Sequence, residues 1–228
     1  MPCTPLAATI MRRLCETYPA AGDPIRAGSM AAYMRDQFPF LGIASPEQRT
    51  LGREVMAGLP KPAEDDLRDV AIACWELTER EYQYFATHLL RRHVAVCGVD
   101  FLGTVRMLIT TKPWWDTVDE LASHVVGTLV ARFPPSATTM DAWSNDPDMW
   151  LVRTAILHQL RYRDATDNER LFRYCAAQAG HHDFFVRKAI GWALREYAKT
   201  DPDAVRAFVA DHRDSLSGLS AREALRHV

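Results

Sequence analysis

The 228-residue chain has no C-x-x-C pair, and its five cysteines (Cys3, Cys15, Cys74, Cys97, Cys175) are odd in number and far apart. That excludes a disulfide frame and a zinc site of the usual spacing, and fits reduced thiols in a cytosolic protein. No apolar run reaches 18 residues, so the sequence offers no membrane-spanning helix. Residues 1–14 lack a basic segment followed by an adequate apolar run and read as an amphipathic helix rather than a signal peptide. Sustained period-two alternation is nearly absent, which argues against a sheet. There is no H-E-x-x-H, P-loop or G-x-G-x-x-G. The net charge of −2 gives no general affinity for polyanions.

What is present is helical. Hydrophobic residues make up 48% of the chain and charged ones 25%, enough to build a sizeable core. Punctuation by Pro, Gly, Asp and Ser recurs at helical-hairpin spacing, near Pro19–Pro24, Pro39–Pro46, Gly58–Pro62, Cys97–Asp100, Pro113, Pro134–Ser136, Asp146–Asp148, Asp164–Asp167, Gly180–Asp183, Asp201–Pro202 and Leu216–Ser220. About twelve helices are expected, within one domain over residues 1–228 and with no visible boundary. Charge is uneven: residues 1–149 carry 14 Lys/Arg against 19 Asp/Glu (−5), and residues 150–228 carry 13 against 10 (+3). The C-terminal excess hints at an anionic partner.

The most informative stretch is Lys112-Pro113-Trp114-Trp115-Asp116-Thr117-Val118-Asp119. Proline at 113 fits the first turn of a helix. On that helix Trp115 and Asp119, four apart, share a face. Two readings fit. An indole beside a carboxylate attracts a cation; alternatively, Asp116 caps the first turn and the tryptophans are core. A repeat bears on the choice. Val152-Arg153-Thr154-Ala155-Ile156 and Val186-Arg187-Lys188-Ala189-Ile190 are offset by 34 residues, and a further step back reaches Val118-Asp119. Such a period, filled with helix pairs, marks an α-solenoid, in which equivalent positions line one inner surface. Asp119, Arg153 and Arg187 would then form a row there. Lys188, Trp192, Arg195 and Lys199, spaced by three and four, add a stripe of cations around an indole, as a nucleic-acid backbone groove requires.

These motifs resemble the AlkD-type DNA alkylation repair enzymes, which are HEAT-like DNA glycosylases. The resemblance runs from Tyr33-Met34-Arg35-Asp36-Gln37-Phe38-Pro39-Phe40-Leu41-Gly42-Ile43 through 112–119, 150–157 and 184–199 to Leu219–Arg226, in order along nearly the whole chain. It implies an all-α solenoid of HEAT-like repeats, curved around a concave DNA-binding face. The implied activity is hydrolysis of the N-glycosidic bond of N3- and N7-alkylated purines in duplex DNA, without metal or cofactor. The family's functional residues fall on Trp115, Asp119, Arg153 and Trp192, with Tyr33 as a DNA contact. The protein would be a cytoplasmic, nucleoid-associated monomer, outside any membrane. A non-catalytic reader of damaged or branched DNA is the alternative, and a protein–protein scaffold the second.

Alkylation at N7 of guanine or N3 of adenine makes the base a cation that departs neutral. The remaining tasks are to stabilise the sugar oxocarbenium ion and to place a water, and Asp119 suits both. Trp115 and Trp192 would pack on the deoxyribose. The role left for Arg153 is to grip a phosphate. Other signals are set aside: His181-His182-Asp183 as a turn ending in a helix cap at Asp183, Glu76, Glu79, Arg80 and Glu81 as a solvated helix boundary, and Trp75, Tyr82, Tyr84 and Phe85 as core.

Overall fold

A computed structural model describes residues 4–226. Cys3 and the first residues of the expected N-terminal helix lie outside it. Every regular element among the described residues is helical: α1 (Pro5–Ala20), α2 (Pro24–Tyr33), α3 (Ser45–Met56), α4 (Glu64–Glu76), α5 (Arg80–His93), α6 (Phe101–Thr110), α7 (Trp115–Glu120), α8 (Gly127–Arg132), α9 (Ala137–Trp143), α10 (Met149–Leu157), α11 (Asn168–Ala177), α12 (Phe184–Tyr197), α13 (Pro202–Asp211) and α14 (Gly218–Ala224). A π-helical turn over Leu121–Val126 makes α7 and α8 one rod. Helices pack on near neighbours in sequence, as in an α-solenoid. None of the described helices is long and apolar enough to cross a membrane.

The expected breaks become helix starts because their side chains satisfy exposed backbone N–H groups. Asp148 accepts from the Trp150 amide at 2.8 Å, Asp167 from Arg170 at 2.9 Å, and Asp201 from Ala204 at 2.9 Å. Asp183 takes the amides of Phe185 and Val186, so the cap reading of that turn holds. Pro113 is displaced from its expected place. Lys112 is left-handed (φ 50°), Trp114 is the N-cap, and the helix begins at Trp115.

The chain divides into two compact units, residues 1–104 and 105–228, with the division inside α6. In the first unit, Ala7, Ile10, Leu14 and Tyr18 form the buried stripe of α1, which packs on α3 and α4. The amphipathic reading of this segment therefore holds from Pro5 onward. Trp75, Tyr82 and Phe85 are core, as expected, but Tyr84, expected there too, is only partly buried. The boundary at 76–81 is solvated only in part: Glu76 is exposed and Glu79 half-buried, but Arg80 and Glu81 are fully buried. Glu81 accepts the backbone N–H groups of Leu41 (2.9 Å), Gly42 (2.8 Å) and Ile43 (3.2 Å), and the Arg80 guanidinium lies 3.8 Å from the Phe38 ring centre. The Tyr33–Ile43 motif is thus a loop clamped from within. At Gly42 (φ 89°) a Cβ would stand 2.0 Å from the Asp23 carbonyl oxygen, so only glycine fits.

In the second unit α10 is the centre. Every residue from Trp150 to Leu157 is buried, because α7, α9, α11 and α12 all pack against this helix. A helix enclosed on all sides reads as a nearly continuous apolar run, and its one cation, Arg153, must find a partner inside the protein. Helix α12 in turn packs closely on α14.

Candidate functional site

That partner is Asp119. Arg153 Nε donates to Asp119 Oδ1 at 2.7 Å and a terminal nitrogen donates to Oδ2 at 2.8 Å, a bidentate pair between α10 and α7. The other terminal nitrogen donates to the Phe185 carbonyl at the start of α12, and the guanidinium carbon lies 5.9 Å from the Phe185 ring centre. One side chain therefore ties three helices together through three N–H donors. Arg153 is only 4% exposed, whereas the Asp119 side chain keeps 16% of its surface open. The acid, not the base, is the half of the pair that faces outward.

The electrostatics of Asp119 are opposed. Burial pushes its carboxyl above the ordinary carboxylate value; the hydrogen bonds and charge of Arg153 pull it down, while Asp116 and Glu120 add to the push. A carboxylate with both oxygens on a guanidinium is ionised at neutral pH, since protonating it would strand a buried cation. In the first turn of α7, Asp116 accepts the Thr117 amide at 2.9 Å. The π turn follows directly, and within it Ser123 donates its hydroxyl to the Asp119 carbonyl at 2.8 Å.

Behind the pair lies an aromatic cluster. The rings of Trp114, Trp150 and Phe185 stand 5.0–6.0 Å apart, centre to centre. The Trp114 indole nitrogen is buried without a hydrogen-bond acceptor. Trp114 as a whole is only partly buried, so it joins this cluster without being enclosed core, and the reading of the tryptophans as core does not hold for it. Trp115, one turn before Asp119, is only partly buried. Trp192 on α12 is also partly buried.

The remaining expected contacts fall out differently. Arg153 does not stand in a surface row, because the helices around α10 enclose it. Arg187 donates Nε to the His181 carbonyl of its own turn at 2.8 Å. Lys188 (3.0 Å) and Arg195 both pair with Glu223 of α14, so the two central cations of the stripe are already matched by one carboxylate. Their pull holds Glu223 below the ordinary carboxylate range, with Lys188 the larger cause. Lys199, largely exposed, pairs with Glu196 at 2.6 Å. Tyr33, in the first unit, is 72% exposed at the end of α2. Sequence reasoning missed Phe185 and Glu223 as partners of the basic residues. Phe185 was visible only as an aromatic after a capping aspartate, and nothing local marks its carbonyl as a ligand for Arg153. Among the described residues, no three His, Cys, Asp or Glu side chains gather in a metal-binding arrangement.

No curated protein matches the chain. A solved structure from Enterococcus faecalis, described as a predicted DNA alkylation repair enzyme, superimposes with a TM-score of 0.84 at 30% identity, covering 91% of this chain and 96% of that one. The family model for DNA alkylation repair enzymes matches residues 15–228. With the model spanning almost all of the chain, and with Asp119 and Arg153 both inside it, this protein belongs to the DNA alkylation repair enzyme family.

Proposed function

We propose that the protein is a monofunctional DNA glycosylase that releases N3- and N7-alkylated purines from duplex DNA. The observation that carries this reading is the Asp119–Arg153 pair: an ionised, partly open carboxylate fixed in place by a buried guanidinium. The lesion is already cationic, so the C1′–N bond breaks toward a neutral base and leaves positive charge on the deoxyribose. Neither an acid nor a redox partner is required for that step. The reaction needs a fixed negative charge beside the sugar and a water for C1′. A carboxylate about 4 Å from the developing cation contributes ~4 kcal/mol at an effective dielectric near 20. That corresponds to roughly a thousandfold in rate. The same carboxylate accepts a proton from the attacking water.

Arg153 takes a different role from the phosphate grip expected of it. It aims Asp119 and keeps it ionised, because a carboxylate held on two N–H donors cannot rotate away. Trp115 and Trp192 supply faces that exclude bulk water from the sugar and favour its developing charge. Selectivity then follows from the lability of the alkylated glycosidic bond. Tyr33, Arg187, Lys188, Arg195 and Lys199 are assigned to contact with the DNA.

The test is release of free 7-methylguanine and 3-methyladenine from methylated duplex. The native protein should release both, and Asp119→Asn should lose most release while still shifting duplex in a gel. Native protein that binds the duplex but frees no base would make this a reader of damage instead.

A further inference from the structure

We infer that a cavity in the first unit, between α2, α3 and α5, binds a single unpaired nucleotide. The natural source of that ligand, DNA, rests on the function proposed above; the chemistry of the cavity does not. It measures about 420 Å³, within the ~300–1,000 Å³ typical of small-ligand sites. Its lining combines three kinds of group. Tyr33, Tyr84 and Met30 provide flat or polarizable apolar walls, suited to the faces of a heteroaromatic ring. Gln48 is 97% buried by its 3% exposure, and its amide nitrogen donates to the Ile43 carbonyl at 2.7 Å. What this side chain offers the cavity is therefore its acceptor oxygen, a match for a ring N–H or exocyclic amino group. Arg49 brings a cation for a phosphate.

The site is built rather than incidental. Gln48 is anchored to Ile43, whose own amide is held by the buried Glu81 carboxylate at 3.2 Å, so the polar wall is fixed by the clamped loop. The opposite wall is α2, none of whose residues is buried, with Tyr33 standing 72% exposed at its end. Ring-stacking surfaces, one oriented acceptor and a cationic edge in a concavity of this size admit one nucleotide. They do not admit a paired duplex step, whose ring faces and hydrogen-bonding edges are already covered.

The experiment is saturation-transfer NMR with the full-length protein and four probes: dAMP, deoxyadenosine, deoxyribose 5-phosphate and O-phosphotyrosine. The base protons of dAMP should take up the most saturation, with deoxyadenosine weaker and the sugar phosphate near background. Ser29→Trp, an exposed α2 position that lines the cavity, should fill it and remove the dAMP signal while the fold, checked by circular dichroism, is unchanged. Arg49→Gln should weaken dAMP about tenfold and leave deoxyadenosine unaffected. Equal signals for dAMP and sugar phosphate would overturn the proposal in favour of an anion site. A stronger signal from phosphotyrosine would overturn it in favour of a peptide site, and so would dAMP binding that survives Ser29→Trp. Because free probes are used, a protein that fails to release bases from DNA leaves this result intact, and a negative result here leaves base release intact.

Discussion

At the scale of single residues, the side-chain chemistry comes down to one ion pair. Removing either partner of a buried pair strands a charge, which costs about 3–5 kcal/mol. Asp119→Ala and Arg153→Ala should each lower stability by that order in urea unfolding, while the double variant loses clearly less than the sum; simple additivity would show that the two do not depend on each other. The pair also sets a pH response. In the proposed reaction base release needs the carboxylate, so it should fall as pH drops through the Asp119 value, which burial holds above the ordinary 3.8. The acid limb of single-turnover release should therefore lie above that figure, and Arg153→Lys, with a single-point donor in place of a fork, should move it further upward. The 34-residue step marked 119 and 153 as equivalent positions, but the sequence reading set them in a row and did not pair them. It did not reveal that Arg153 is enclosed, because Val-Arg-Thr-Ala-Ile reads like any amphipathic turn until the coverage from α12 and α9 is known. For the same reason Arg80 and Glu81 looked solvated: their partners lie about 40 residues upstream, in a loop whose folding no local pattern announces.

At the scale of elements, helix starts were legible and helix contacts were not. Aspartates at 148, 167, 183 and 201 cap as their spacing indicates, since a cap involves only the next two or three residues. The π turn after Asp119 left no sequence signal. Nor did the close approach of α12 to α14, which depends on Gly191. A Cβ there would stand 2.4 Å from Glu223 Cβ and 2.9 Å from the Ser220 carbonyl oxygen, so the helices would have to separate. Gly191→Ala should lower stability by about 1–3 kcal/mol despite its better helix propensity, read as a drop in the thermal midpoint. An unchanged midpoint would mean that α14 is free to shift. The same contact positions Glu223 against Lys188 and Arg195, which makes α14 part of the electrostatics of α12 as well as of its packing.

At the scale of the whole molecule, a net charge of −2 leaves DNA binding to local arrangement. Composition exposed a basic excess in the C-terminal third but could not show that Glu223 already balances part of it. Glu223→Gln should free Lys188 and Arg195, raise duplex affinity several-fold and steepen the salt dependence by about one to two in log–log slope. A slope no different from the native one, in fluorescence anisotropy between 50 and 200 mM salt, would show that these cations do not meet the duplex. The all-helical solenoid was legible from period and punctuation together, because both are repeated along the chain. The three-way attachment of Arg153 has a temporal consequence. Asp119 leaves the ribosome well before Phe185, so during synthesis the acid exists for some sixty residues of translation without its full anchorage. A nascent chain interrupted in that interval would carry the carboxylate without the third tie of its partner. The full arrangement would arrive only when α12 closes over α10.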